Sequence, residues 1–152
     1  MAWMQRILVP LDGSAFAEVA LPHAVALAKQ TGASLTLLSV LAPLPPAVLP
    51  QGTYLDWPKM QRDLHAETRA YLDGVRQRVA AEGLVVGVDL REGDAAGAIV
   101  DTAQALRADV IVMATHGRSG LGRWTLGSVA DRVVRSARMP VLLIRPQEAP
   151  AE

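Results

Sequence analysis

The sequence predicts an α/β protein built on a single open, five-stranded parallel sheet with helices on both faces. Three observations carry that expectation. Short apolar runs recur without the in-out alternation of a half-exposed strand, which suits strands buried on both faces. Longer segments between them space their apolar residues at helical period. The two kinds alternate as β-α-β-(loop)-α-β-α-β-loop-α-β, an order that calls for right-handed crossovers and parallel pairing. The 152 residues suffice for one domain, assigned to 1–146, with 147–152 a flexible C-terminal tail.

Ile7 to Leu11 forms the first strand and stops at Asp12-Gly13-Ser14. Ser14 to Gln30 follows as a helix, with Phe16, Val19, Ala20, Leu27 and Ala28 on its apolar stripe. Pro22 kinks or restarts that helix, and Thr31-Gly32 ends it. Leu35 to Leu41 is the second strand. The proline-rich "APLPPAVLPQG" that follows reads as a long loop. Asp56 to Glu82 is a long helix with Leu64, Tyr71, Leu72, Val75 and Val79 inward and Gly83 as its stop. Leu84 to Leu90 is a third strand, broken by Gly87, and Ala95 to Leu106 a helix. Asp109 to Ala114 is the fourth and most uniformly apolar strand, Val129 to Ala137 the last helix, and Val141 to Ile144 the last strand.

Composition narrows the function. Hydrophobic residues make up 51% and charged residues 20%, with a formal net charge of zero. A neutral balance gives no global attraction to nucleic acid or to anionic membranes. Without cysteine there is no disulfide, thiolate nucleophile or thiolate metal site. "MAWMQRILVPLDGS" lacks the pattern of a signal peptide, and no apolar run has membrane-spanning length. The expectation is a soluble, cytoplasmic protein.

In open parallel sheets, ligands sit beyond the C-terminal ends of the strands, where the strand order reverses. Two such ends carry polar, flexible residues: Pro10-Leu11-Asp12-Gly13-Ser14 and Ala114-Thr115-His116-Gly117. If the first and fourth strands are neighbours, both ends face one crevice. The second end opens the glycine-rich stretch "THGRSGLGRWTLGSVADRVV". Gly117 and Gly122 have P-loop spacing, but Arg123 and Trp124 replace the lysine and hydroxyl that a P-loop needs. The dinucleotide pattern starting at Gly120 fails at Thr125. The physics still favours an anion. Ser128 stands at an N-cap position with Asp131 three residues on, resembling a capping box. The last helix then turns its free amides and positive dipole end toward the loop, and Arg118 and Arg123 add charge. The plain alternative is a flexible connector with an ordinary cap. Arg132, Arg135 and Arg138 suit a solvated C-terminal half of that helix.

Three stretches, "ILVPLDGSAFAEVALPHAVALA", "EGDAAGAIVDTAQALRADVIVMATHG" and "MATHGRSGLGRWTLGSVADRVVRSARMPVLLI", together resemble the universal stress protein family over essentially the whole chain. The resemblance implies a Rossmann-like, adenine nucleotide alpha hydrolase-like fold. The family's nucleotide-binding branch carries Gly-x2-Gly-x9-Gly-[Ser/Thr]; here the motif is Ala114-x2-Gly117-x9-Gly127-Ser128, with alanine for the first glycine. By resemblance, Asp12 holds the ribose or adenine side, with Pro10 and Leu11 near it in the binding site, and Val40 lines the adenine pocket. Met113, Ala114, Thr115, His116, Gly117, Arg118, Gly127, Ser128 and Val129 surround the phosphates. Independently, an Asp at a strand mouth can accept from a ribose hydroxyl, or simply form an Asx turn or cap for the next helix.

The resulting expectation is ATP binding between the first-strand Asp loop and the glycine-rich loop, with Mg²⁺ bound mainly through phosphates because the loop offers no carboxylate cage. His23, His65 and His116 are scattered, so no metal site from protein side chains is expected, although His116 could donate to a phosphate. No G-x-S-x-G elbow and no general base for hydrolysis is evident, so no catalytic residue is assigned and any ATPase activity is expected to be slow. Three alternatives stay open: a dimeric interaction module without nucleotide, which Ala114 favours; cyclic AMP as ligand; and a nucleotide-hydrolysing or adenylyl-transferring enzyme. Resemblance also implies a homodimer through Val141 to Ile144, an apolar run that would be a hazard as a bare edge.

Overall fold

The computed structural model describes residues 3–43, 52–53, 55–116 and 126–147. The elements run β1 (Arg6–Pro10), α1 (Ala15–Glu18), α2 (Ala20–Thr31), β2 (Ser34–Leu41), α3 (Trp57–Ala80), β3 (Val86–Glu92), α4 (Ala95–Ala105), β4 (Val110–Ala114), α5 (Ser128–Ser136) and β5 (Val141–Ile144). Five strands form one parallel sheet in the order β3-β2-β1-β4-β5. The chain therefore winds outward in one direction from β1 through β2 to β3, then returns to the other side of β1 for β4 and β5. The reversal falls between β1 and β4.

Successive strand residues feed opposite faces, and each face has its own core. Ile7, Val9, Leu35, Leu37, Val110 and Val112 pack with α2 and with Leu72, Val75 and Val79 of α3. Leu8, Leu38, Ile111 and Met113 pack with Ile99 and Ala103 of α4 and with Ala130 and Val133 of α5. That double use is why β1 and β4 are apolar at consecutive positions rather than alternately.

Local chemistry sets the helix ends. Asp56 caps α3 by accepting from the Lys59 amide at 3.0 Å. Asp94 caps α4 by accepting from the Gly97 amide at 2.9 Å. Gly32 closes α2 in the left-handed region, at φ 75°. No helix among the described residues is long and apolar enough to cross a membrane.

Several expectations need correction. The helix expected from Ser14 to Gln30 is two helices, broken at Val19, so Pro22 sits in the first turn of α2 where its missing N–H is harmless. The break resets the helical phase, and Phe16 is exposed rather than inward. The third strand runs later than expected and is continuous through Gly87, which pairs beside Thr36. It lies at the sheet edge, where open space around Gly87 makes the missing side chain inconsequential. Tyr71 belongs to the stripe of α3 only in part. Its hydroxyl donates to Glu18 at 3.0 Å, and Arg78 donates to the same carboxylate at 2.9 Å, clipping α1 to α3. Burial, then the Glu18 hydrogen bond, pushes the Tyr71 phenol up. Most of the proline-rich loop, Leu44 to Gln51, and the tail from Glu148 lie outside the described residues.

Candidate functional site

A cavity of about 310 Å³ opens at the C-terminal ends of the strands, at the reversal between β1 and β4. Pro10, Leu11 and Asp12 line it from β1, Val40 from β2, Met113 to His116 from β4 and its exit, and Gly127, Ser128 and Val129 from the start of α5. Every site residue expected from the sequence that the structure describes is on this cavity. Gly117 and Arg118 lie outside the described residues.

The mouth of β1 is held by hydrogen bonds. The Leu11 amide donates to the Leu38 carbonyl at 2.7 Å. The buried Ser39 hydroxyl donates to the Leu11 carbonyl at 2.7 Å. Gly13, at φ 86°, then turns the chain in a conformation that side chains rarely adopt. Asp12 Oδ1 accepts from the Ser14 amide at 2.9 Å and from its hydroxyl at 2.5 Å, an Asx turn. Ser14 in turn caps α1, accepting from the Ala17 amide at 3.2 Å. The local structural role of Asp12 is thus real, and it leaves the carboxylate at the cavity wall.

The β4 side is held just as closely. The Thr115 amide donates to the Ile144 carbonyl, and the Gly127 amide to the Thr115 carbonyl, each at 2.9 Å. This last bond seats the start of α5 directly on the exit of β4. A Cβ on Gly127 would stand 2.9 Å from the Thr115 carbonyl oxygen, closer than real contacts allow. Glycine is needed here for close approach, not for its φ of −58°. Ser128 is therefore the first residue of α5, not its cap; Gly127 is the cap, and no side chain caps the helix. Asp131, expected in a capping box, instead accepts from Arg135 Nε at 3.1 Å. Helix geometry leaves the amides of Ser128, Val129 and Ala130 without intrahelical acceptors, and these residues line the cavity.

Two further features bear on ligand fit. Ala114, in place of a glycine, is the last residue of β4; Arg107 is the single described non-glycine residue with positive φ, so alanine carries no backbone strain there. His116 Nδ1 meets Thr115 Oγ1 at 3.0 Å, while its Nε2 is buried with no hydrogen-bond partner among the described residues. A buried polar nitrogen without a partner is costly, and a ligand oxygen at the cavity would satisfy it.

Sequence reasoning missed the remaining walls: Ala17, Leu38, Ala95, Ile99 and Ala130. A signal existed for some. Alternation from Val40 points to Leu38 on the same face, and Ala95 and Ile99 stand one helical turn apart at the start of the helix that leaves β3. Also unforeseen was the tie between the two helices of this wall. Arg132 of α5, expected as solvated charge, grips Asp94 in a bidentate pair at 2.7 and 2.8 Å. That pair, with the Gly97 amide, holds the Asp94 carboxyl below its ordinary 3.8. A lowered folded-state pKa contributes stability above the ordinary value and loses it as pH falls through the folded one. The melting temperature should therefore drop more steeply on acidification below about pH 4 in the native protein than in Asp94→Asn, which keeps a capping oxygen but no charge. Equal slopes in a pH series of melting curves would show that the pair contributes nothing.

Comparison with known proteins fits this geometry. The universal stress protein family matches residues 4–145. A universal stress protein of Methanocaldococcus jannaschii is 34% identical over 93% of this chain and 82% of its own. The solved universal stress protein of Lactobacillus plantarum is 30% identical, with a TM-score of 0.73 over 93% of this chain and 97% of that one. A universal stress protein solved in complex with cAMP shares the fold, at 24% identity and a TM-score of 0.70, over 93% of this chain and 97% of that one.

Proposed function

Because the chain belongs to the universal stress protein family, we propose that it binds ATP in the crevice between the Asp12 turn and the start of α5, as a cytoplasmic stress-response module whose contacts depend on nucleotide. The observation that carries this reading is that a carboxylate-bearing residue, Asp12, and a helix N-terminus line one 310 Å³ cavity. Asp12 suits ribose hydroxyls as an acceptor. The amides of Ser128 and Val129 suit phosphate oxygens, and Gly127 keeps that helix end close to β4. His116 Nε2 gains a partner from a bound phosphate. Apolar Leu38, Val40, Ile99 and Met113 suit a base. Mg²⁺ would be held mainly by the phosphates.

The test is to denature purified protein, identify released nucleotide by chromatography, and titrate ATP and cyclic AMP by calorimetry. ATP is expected to bind with Mg²⁺ present. No released nucleotide and no heat at millimolar ATP would reject the site; heat with cyclic AMP alone would reassign its ligand.

The reading extends to a homodimer through β5, possible because β5 is an edge strand whose Leu142 is 42% exposed. Light scattering should give the mass of two chains, and Leu142→Arg should shift it toward one. A wild-type mass of one chain would refute the dimer.

A further inference from the structure

A second crevice, of about 450 Å³, lies at the opposite end of α4, by the N-terminal ends of β1 and β2. Arg6 pairs beside Ser34 and Leu8 beside Thr36, so alternation directs all four to the face that α4 covers. Leu8, Ala108 and other apolar residues line it, and its polar lining residues, Arg6, Arg107, Ser34 and Thr36, all carry side-chain donors.

The Ser34 hydroxyl donates to the Gln5 carbonyl at 3.3 Å; the other three donors are underused. Among the described residues, neither guanidinium has a carboxylate partner, and Arg6 reaches only the Leu106 carbonyl, at 3.5 Å. The nearby Asp109 Oδ2 is engaged by the amides of Gln5 at 2.7 Å and Arg6 at 2.9 Å. Among the described residues, the half-buried Thr36 hydroxyl has no protein partner. Arg107 occupies the one left-handed position held by a described non-glycine residue, at φ 53°. It follows the C-cap of α4 in a Schellman turn, with Ala108 N donating to Ala103 O at 2.8 Å and Arg107 N to Gln104 O at 3.1 Å. Glycine is the residue that fits this position without strain, so arginine stands there at a conformational cost.

We infer that this crevice binds a phosphate group, free or as a small phosphate ester, between Arg6 and Arg107. Two guanidinium forks and the Thr36 hydroxyl offer many donors and few acceptors, which matches a tetrahedral oxyanion. The volume leaves room for a sugar-sized substituent. Asp109 and the carbonyl end of α4 oppose the anion, so binding is salt-sensitive and weaker than at a helix N-terminus. The inference does not depend on a nucleotide in the upper cavity.

The experiment is an NMR titration of the whole chain with inorganic phosphate and, separately, ribose 5-phosphate. Saturable amide shifts are expected at Arg6, Thr36, Arg107 and Ala108. Equal affinity for the two probes identifies free phosphate as the source, and tighter binding of the sugar phosphate identifies an ester. Arg107→Gly removes a donor but relieves the left-handed strain, so it should lose roughly tenfold in affinity without a fall in melting temperature. Arg6→Gln should lose affinity similarly. Shifts confined to Thr115 and Gly127 to Val129, no saturation at the lower crevice, or unchanged affinity in both variants would overturn the inference.

Discussion

Gly127→Ala should cost about 1–3 kcal/mol of stability, the range of an overpacked contact, and should abolish stabilisation by ATP. The added methyl meets the Thr115 carbonyl oxygen at 2.9 Å and His116 Cα at 3.5 Å, both backbone atoms with no rotamer to give way. Backbone conformation is not the obstacle, since a φ of −58° suits any residue. Relief requires α5 to move off the exit of β4. That movement breaks the 2.9 Å bond from the Gly127 amide to Thr115 and carries the free amides of Ser128 and Val129 away from the crevice. Stability and ligand binding therefore fail together for one geometric reason. Gly87→Ala is the control, because its new methyl enters open space at the sheet edge and should leave both properties within about 0.5 kcal/mol of wild type. Urea denaturation measures the first effect. The second is read from melting curves with and without ATP, where saturation at a hundred times Kd should raise wild-type stability by about 2.7 kcal/mol. A Gly127→Ala protein with the full ATP-linked gain would remove the helix start from the binding site.

The contrast between Gly127 and Gly87 also shows what a sequence can disclose. Central strands were legible because burial on both faces leaves an unbroken apolar run, as in Val110–Ala114, where every residue is buried. The edge strand β3 is half-exposed, so its pattern is diluted, and Gly87 looked like an interruption when it is only an unburdened position. Ser128 and Asp131 carry the local chemistry of a cap, yet a tertiary bond to Thr115 makes Gly127 the cap instead. Phe16 was misjudged because the phase of a helix cannot be carried across a break that the sequence marks only by Pro22. The candidate site was readable to the extent that it follows two rules, ligands at strand ends and motif spacing along β4 and α5. What escaped was pairwise and distant: Arg132 with Asp94, Glu18 with Tyr71 and Arg78, Ser39 with Leu11. No local pattern encodes which surface charge will meet which.

Asp12 is the residue at which local structure and proposed ligand binding can be separated. Its Oδ1 accepts from the Ser14 amide and hydroxyl, and Ser14 caps α1. Asparagine retains an oxygen for that Asx turn, so Asp12→Asn should stay within about 0.5 kcal/mol of wild type. Alanine loses the acceptor, and Asp12→Ala should cost about 1 kcal/mol. Ligand binding should divide the variants differently. A carboxylate hydrogen-bonded to ribose hydroxyls is a charged acceptor, and removing the charge while keeping the oxygen should weaken ATP roughly tenfold. Removing the side chain should weaken it by ten- to a hundredfold, on the order of 1.4–2.7 kcal/mol. Calorimetric titration of both variants, alongside denaturation, distinguishes the two roles. If Asp12→Asn binds ATP like wild type while Asp12→Ala loses stability and affinity in equal measure, the carboxylate only shapes the turn. If Asp12→Asn keeps its stability and loses affinity, the charge itself meets the ligand, because the turn it would otherwise serve is still in place.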